Sequence, residues 1–169
     1  MEQNLSTKSD LINKLISFHK ENKIKIYSML IIFLITSIAI IIYQINNENK
    51  NNLISEKYVQ AGLYLSSGEK EKSKVLYEEI ILSKNKFYSN LALNTILENN
   101  LEIDKNKILS HFEILEKLNI SEEQLDLLNL KKALYLIKIS KNKNANKLLN
   151  NLIEKNSVFK NLAEEALTK

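Results

Sequence analysis

Two histidines, three pairs of adjacent glutamates and a cluster of lysines are the residues of this chain whose types suit chemistry: His19 and His111, Glu78/Glu79, Glu122/Glu123, Glu164/Glu165, and Lys70, Lys72 and Lys74. A metal centre or a proton-transfer site needs several such groups converging on one point. Neighbouring residues on a helix point about 100° apart, so each glutamate pair diverges instead of sharing a proton. Such pairs suit solvated faces or the positive ends of helices. The three lysines read as a solvated edge, one that an acidic partner could also use. The chain has no cysteine, which excludes thiolate chemistry and disulfide bridges. No Gly-rich phosphate loop, zinc spacing or nucleophile elbow is present. The expectation is a protein that is not an enzyme, with no catalytic, cofactor-binding or metal-binding residues, no cofactor and no small-molecule substrate.

The elements that position these groups begin with an apolar run. Residues 26–45 read IYSMLIIFLITSIAIIIYQI, without one charged side chain. At about 1.5 Å per residue, a helix of that length crosses a hydrocarbon layer of about 30 Å and satisfies its own backbone on the way. A soluble core helix usually keeps a polar face, whereas Ser28, Thr36 and Ser37 are the only polar groups between Tyr27 and Tyr43. A cleavable export signal has a shorter apolar core and small residues beyond it, but this run is followed by NNENKNNLISEKY. It reads as an uncleaved signal anchor, with Tyr27 and Tyr43 at headgroup depth.

Lys8, Lys14, Lys20, Lys23 and Lys25 precede the run, against Lys50 and Lys57 in the stretch that follows. The more basic flank stays in the cytoplasm. The predicted organisation is a cytoplasmic stub over 1–25, a transmembrane anchor over 26–45 and an extracytoplasmic domain over 46–169. In a Gram-negative bacterium this is a single-pass inner-membrane protein with a periplasmic C-terminal domain. Lys20, Lys23, Lys25, Tyr27 and Tyr43 are the membrane-flanking residues. On this topology the two histidines lie on opposite sides of the membrane and cannot share a site.

Residues 46–169 carry 19 Lys and 17 acidic residues, close to neutral, which argues against a nucleic-acid partner. Two glycines and no proline remove the usual punctuation of hairpins, and no segment alternates polar with apolar as a strand would. An all-α domain is predicted, with helices over 53–66, 70–83, 88–99, 105–118, 122–139, 143–155 and 158–168. Asp104 is a candidate N-cap, and Ser121 with Gln124 a candidate capping box. Ala145, Leu148, Leu149, Leu152 and Ile153 form one apolar stripe, and Val158, Leu162, Ala163, Ala166 and Leu167 a second.

Paired helices invite a search for a repeat. In YVQAGLYLSSGEKEKSKVLYEEIILSKN, Ala61, Tyr64, Gly68, Ser73 and Tyr77 stand at the offsets of small and aromatic residues in tetratricopeptide repeats. A second copy follows 72 residues later, with Ala133, Leu136, Ala145 and Leu149 matching Ala61, Tyr64, Ser73 and Tyr77. One degenerate repeat fits between, over roughly 88–125. The fold expected is one N-terminal transmembrane helix followed by a tetratricopeptide-like α-solenoid of about three helical hairpins.

With FHKENKIKIYSMLIIFLITSIAIIIYQ, the hairpin EKYVQAGLYLSSGEKEKSKVLYEEII and the stretch FYSNLALNTILENN, the chain resembles bacterial single-span inner-membrane proteins that carry a small periplasmic tetratricopeptide-like domain. Lys57 and Gln60 depart from the repeat's usual Trp and Leu, and Asn85 from its usual Pro. The resemblance implies an ancillary subunit of the Sec translocon linked to periplasmic chaperones. Stacked hairpins would offer a concave face to a protein partner. In the repeat register, that groove includes Tyr58, Leu65, Ile96, Leu130, Leu134 and Lys138, unless these side chains fill the core instead. The rival functions are a structural subunit of an envelope complex and an enzyme accessory.

Overall fold

The computed structural model describes residues 3–168. Among them are seven helices and no strand: α1 (Gln3–Ser66), α2 (Lys70–Leu82), α3 (Tyr88–Glu98), α4 (Lys105–Glu116), α5 (Glu122–Lys138), α6 (Asn142–Glu154) and α7 (Lys160–Leu167). Contacts divide the chain into two units, residues 1–50 and residues 51–169. The side chains of Lys8, Lys14 and His19 lie outside the described residues.

The largest departure from the expected helix bounds is in α1. No helix starts afresh at residue 53, because α1 runs on through the segment NNENKNN. That segment is polar but holds no Gly or Pro to break a helix, and asparagine costs only a few tenths of a kcal/mol at each position. The one break in helical backbone geometry within α1 is at Asn22 (φ −110°, ψ 16°).

In the second unit the apolar face of α1 is Ile54, Tyr58, Ala61 and Leu65, spaced by four, three and four residues. Tyr58 packs edge-on against Tyr77 of α2 at 5.5 Å between ring centroids, and its ring is tilted against that of Tyr88 of α3 at 5.7 Å. Both expected N-caps are present. The Asp104 carboxylate accepts from the backbone N–H groups of Asn106 and Lys107, and Ser121 and Gln124 close a reciprocal capping box. Each such cap is worth about 1 kcal/mol.

The 72-residue recurrence seen in the sequence is also a recurrence of backbone. Adding 72 to the bounds of α2 (Lys70–Leu82) gives those of α6 (Asn142–Glu154), and the same shift carries the end of α1 to that of α5 and the start of α3 to that of α7. The turns agree as well. Gly68 (φ 80°) and Ser140 (φ 62°) are both left-handed. At the first, Gly68 and Glu69 donate to the carbonyls of Leu65 and Tyr64, and at the second, Ser140 and Lys141 donate to those of Ile137 and Leu136. This paired closure satisfies carbonyls that a helix end otherwise leaves bare. Ala61, Ala133, Ser73 and Ala145 are all fully buried, letting the paired helices approach closely, with Tyr77 and Leu149 beside them in the cores.

Hydrogen bonds also link alternate helices. Tyr88 donates to Ser55 (2.9 Å) between α3 and α1, while Lys131 and Lys138 of α5 donate to Asn94 (2.9 Å) and Asn100 (3.1 Å) at α3 and its end. On the other side, Lys107 of α4 pairs with Glu78 of α2. One apolar cluster joins α1 to α5 and another joins α5, α6 and α7, with Leu109 and Ile139 packed against both.

The stripe at Ala145, Leu148, Leu149, Leu152 and Ile153 is buried or half-buried as expected. The second stripe needs correction, because Val158 is 74% exposed and Leu162 is exposed too. Since α7 starts only at Lys160, its inner side is formed by Phe159, Ala163, Ala166 and Leu167.

The equivalence of the two turns can be tested with opposite substitutions. A Cβ on Gly68 meets no neighbouring atom, so Gly68→Ala is expected to cost about 1 kcal/mol through left-handed strain alone. Ser140→Gly should gain up to about 1 kcal/mol by relieving the same strain. Thermal melts should therefore shift down for the first variant and up for the second.

Candidate membrane span and interaction faces

Among the described residues, one helix is long and apolar enough to cross a membrane, and none of its most apolar window is buried. The polar groups inside that window are already satisfied. Ser28 donates to the carbonyl of Lys25, and Thr36 and Ser37 both donate to that of Phe33. Side-chain hydroxyls bonded back to their own helix cost little in hydrocarbon. Lys20, Lys23 and Lys25 are exposed before this run, and Tyr27 and Tyr43 stand exposed near its two ends.

The six groove residues divide into three kinds. Ile96 (0% exposed) and Leu130 (5%) belong to the two cores and offer no area to a partner, which corrects their assignment. Tyr58 and Leu65 are half-buried against the first core. Leu134 (48% exposed) and Lys138 face outward, although Lys138 is tied to Asn100. Val59 and Leu63 on α1 and Leu127 on α5 are also exposed apolar side chains. These three were missed by matching repeat offsets, yet they lie roughly opposite the core positions on the helical wheel, which is a signal the sequence does contain.

The charged residues form a network that the sequence reading treated as solvated. Glu78 and Glu79 do diverge, Glu78 toward Lys107 of α4 and Glu79 toward Lys57 of α1 (2.7 Å). Lys74, expected at a solvated edge, is mostly buried between Glu71 and Glu102. Glu102, 9% exposed, sits in the loop before α4, and its Oε1 accepts from the backbone N–H groups of Ile103 (2.7 Å) and Asp104 (2.8 Å). Those bonds, led by the one from Asp104, act against burial and, with Lys107 and Lys74, hold its carboxyl down at about 2.

His111 is a core residue, 3% exposed, whose Nδ1 has no hydrogen-bond partner. Burial lowers its pKa from 6.5, Lys107 adds to that effect, and Glu78 and Glu102 oppose it. The imidazole is therefore kept neutral within a wall of charged groups. Among the described residues, no three His, Cys, Asp or Glu side chains are grouped to hold a metal ion.

No protein-family model matches the chain, and neither does any curated protein or solved structure.

Both shifts weaken the fold in acid. The unfolded chain protonates Glu102 near pH 4.5 and the folded chain only near 2, so its contribution is full above 4.5 and is lost as pH falls from there toward 2. His111 resists charging when folded, so its contribution is full above pH 6.5 and declines below it. Melting temperature followed against pH should fall in two stages. The first should disappear in His111→Leu and the second in Glu102→Gln.

Proposed function

We propose that this chain is a membrane-anchored protein-interaction module, in which a single span holds a tetratricopeptide-like domain of about three helical hairpins outside the cytoplasm. The observation that carries the reading is the apolar, unburied segment of α1 joined to a domain whose hairpins recur at 72 residues. A helix with that composition needs a bilayer or a partner to cover it. Repeated hairpins whose alternate helices are bonded to one another generate an extended face, and in this reading Leu127 and Leu134, exposed one above the other on α5, belong to it. Apolar side chains exposed on such a face suit an extended or helical segment of another protein.

The basic flank at Lys20, Lys23 and Lys25 supports an N-terminus in the cytoplasm, and hence a periplasmic domain in a Gram-negative cell. In that setting we read the protein as an ancillary factor of Sec-dependent export or of periplasmic chaperoning. A reporter active only outside the cytoplasm, fused after Lys169, should be active, and external protease should remove the domain. Protection of the domain would overturn the topology and the export reading together.

Photo-crosslinkers placed at Leu127 and Leu134 in living cells should capture one dominant envelope protein. Because Leu134 is half exposed, Leu134→Asp should abolish that capture while changing stability by no more than about 1 kcal/mol. Ile96→Asp, which buries an unpaired carboxylate, should instead unfold the domain. Normal capture by Leu134→Asp would remove the odd-helix face as the binding surface.

A further inference from the structure

The recurrence at 72 residues builds one cleft twice, charge-balanced in the first copy and with unpaired lysines in the second. In the first copy Gln60, Tyr64, Glu71, Lys72, Val75 and Leu76 line a cleft of about 340 Å³ between α1 and α2. Their six counterparts, Lys132, Leu136, Lys143, Asn144, Lys147 and Leu148, all line a cleft of about 920 Å³ between α5 and α6, which α4 enlarges with Leu109 and Glu113.

The first copy neutralises itself. Glu69 pairs with Lys72, and Glu71 with Lys74 at 2.7 Å. At the corresponding positions the second copy has Lys141 and Lys143 in place of the acids, and Asn144 and Asn146 in place of the lysines. Val75 has become Lys147. No acidic residue stands in the first turn of α6, and Lys141, Lys143 and Lys147 have no ion pair among the described residues. Lys132 is neutralised by Glu116 at 2.8 Å.

Two carboxylates, Glu113 and Glu154, also line the larger cleft. Glu154 lies at the far end of α6, roughly 16 Å along the helix axis from Lys143. The cleft is thus basic toward the α5–α6 turn, apolar at the half-buried Leu109 and Leu148, and acidic at Glu113 of α4 and at Glu154 at the end of α6.

We propose that the α4–α5–α6 cleft binds an acidic segment of a partner protein, its carboxylates held by Lys141, Lys143 and Lys147 and an apolar side chain seated on the leucines. The apolar floor recessed between helices suits a peptide better than a flat bilayer surface, and the asparagine amides can both donate to and accept from a peptide backbone. The proposal rests on the reading of the domain as a partner-binding module but uses a different face from Leu134. Leu136 lies two residues on, and so about 200° around α5.

The test uses the full chain in nanodiscs and follows the anisotropy of two fluorescein-labelled peptides of equal length, one of Glu and Leu and one of Lys and Leu. The Glu/Leu peptide should bind and the Lys/Leu peptide should not. Binding should weaken about tenfold in a variant combining Lys141→Gln, Lys143→Gln and Lys147→Gln, and comparably when salt is raised to about 0.5 M. All three lysines are exposed, so the melting temperature should not change. A control combining Lys84→Gln, Lys86→Gln and Lys117→Gln should bind normally, and the failure of the Leu134 crosslink to capture a protein would leave the peptide result standing, which separates failure of this cleft from failure of the odd-helix face. Phosphatidylcholine discs with and without phosphatidylglycerol should give equal peptide binding. Loss of binding in the phosphatidylglycerol discs would assign the lysines to lipid headgroups and overturn the proposal. Equal binding of both peptides, no binding, or undiminished binding by the triple variant would overturn it as well.

Discussion

A chain with two glycines and no proline must still reverse direction between successive helices of residues 51–169, and each helix end leaves carbonyls that need donors. Five single residues in left-handed conformation stand in these connections: Gly68, Lys84, Asn100, Ser140 and Asn156. Four of them carry a Cβ, at a cost of roughly 1–2 kcal/mol each. The paired closing bonds recur at Asn100 and Leu101, which donate to Leu97 and Ile96, and at Asn156 and Ser157, which donate to Ile153 and Leu152. Those bonds and the helix packing they permit offset the strain. Without these tight reversals, the apolar faces of neighbouring helices would not meet.

Close approach then divides the work among positions. Ala61 and Ser73 in the first hairpin, and Ala133 and Ala145 in the third, bring backbones together, while Tyr77 and Leu149 take up the remaining volume. Apolar residues on the inner sides are used up in this packing, as Ile96 and Leu130 illustrate. Among the apolar residues left outside, Val59, Leu63, Leu127 and Leu134 lie on the odd-numbered helices α1 and α5, with area left for something other than the core. Packing and binding draw on the same residue types, and burial decides which residue does which.

Charge is treated differently in the two copies of the repeat. Near the first, Glu78, Glu102, Lys74 and Lys107 form a partly covered network beside the buried His111. In the later copy the buried Asp126, at the position equivalent to Ile54, is held by Lys155 and Ser157. A buried carboxylate is tolerable only with such partners. The lysines at the start of α6 have none, so their charge is directed at solvent or at a ligand.

The sequence by itself determined the apolar segment, the helix count of the second unit, most helix bounds to within about two residues, the caps at Asp104 and Ser121, and the recurrence at 72 residues. These follow from local rules: periodicity, side-chain caps, and small residues at fixed offsets. Tertiary structure alone decided that Val158 and Leu162 stay outside, that His111 goes inside while Lys74 is largely covered, and which groove residues are core. Each of those outcomes depends on which neighbouring helix covers a given face. A single helix's pattern shows that a face must be covered, but the atoms that cover it come from elements far away in the chain.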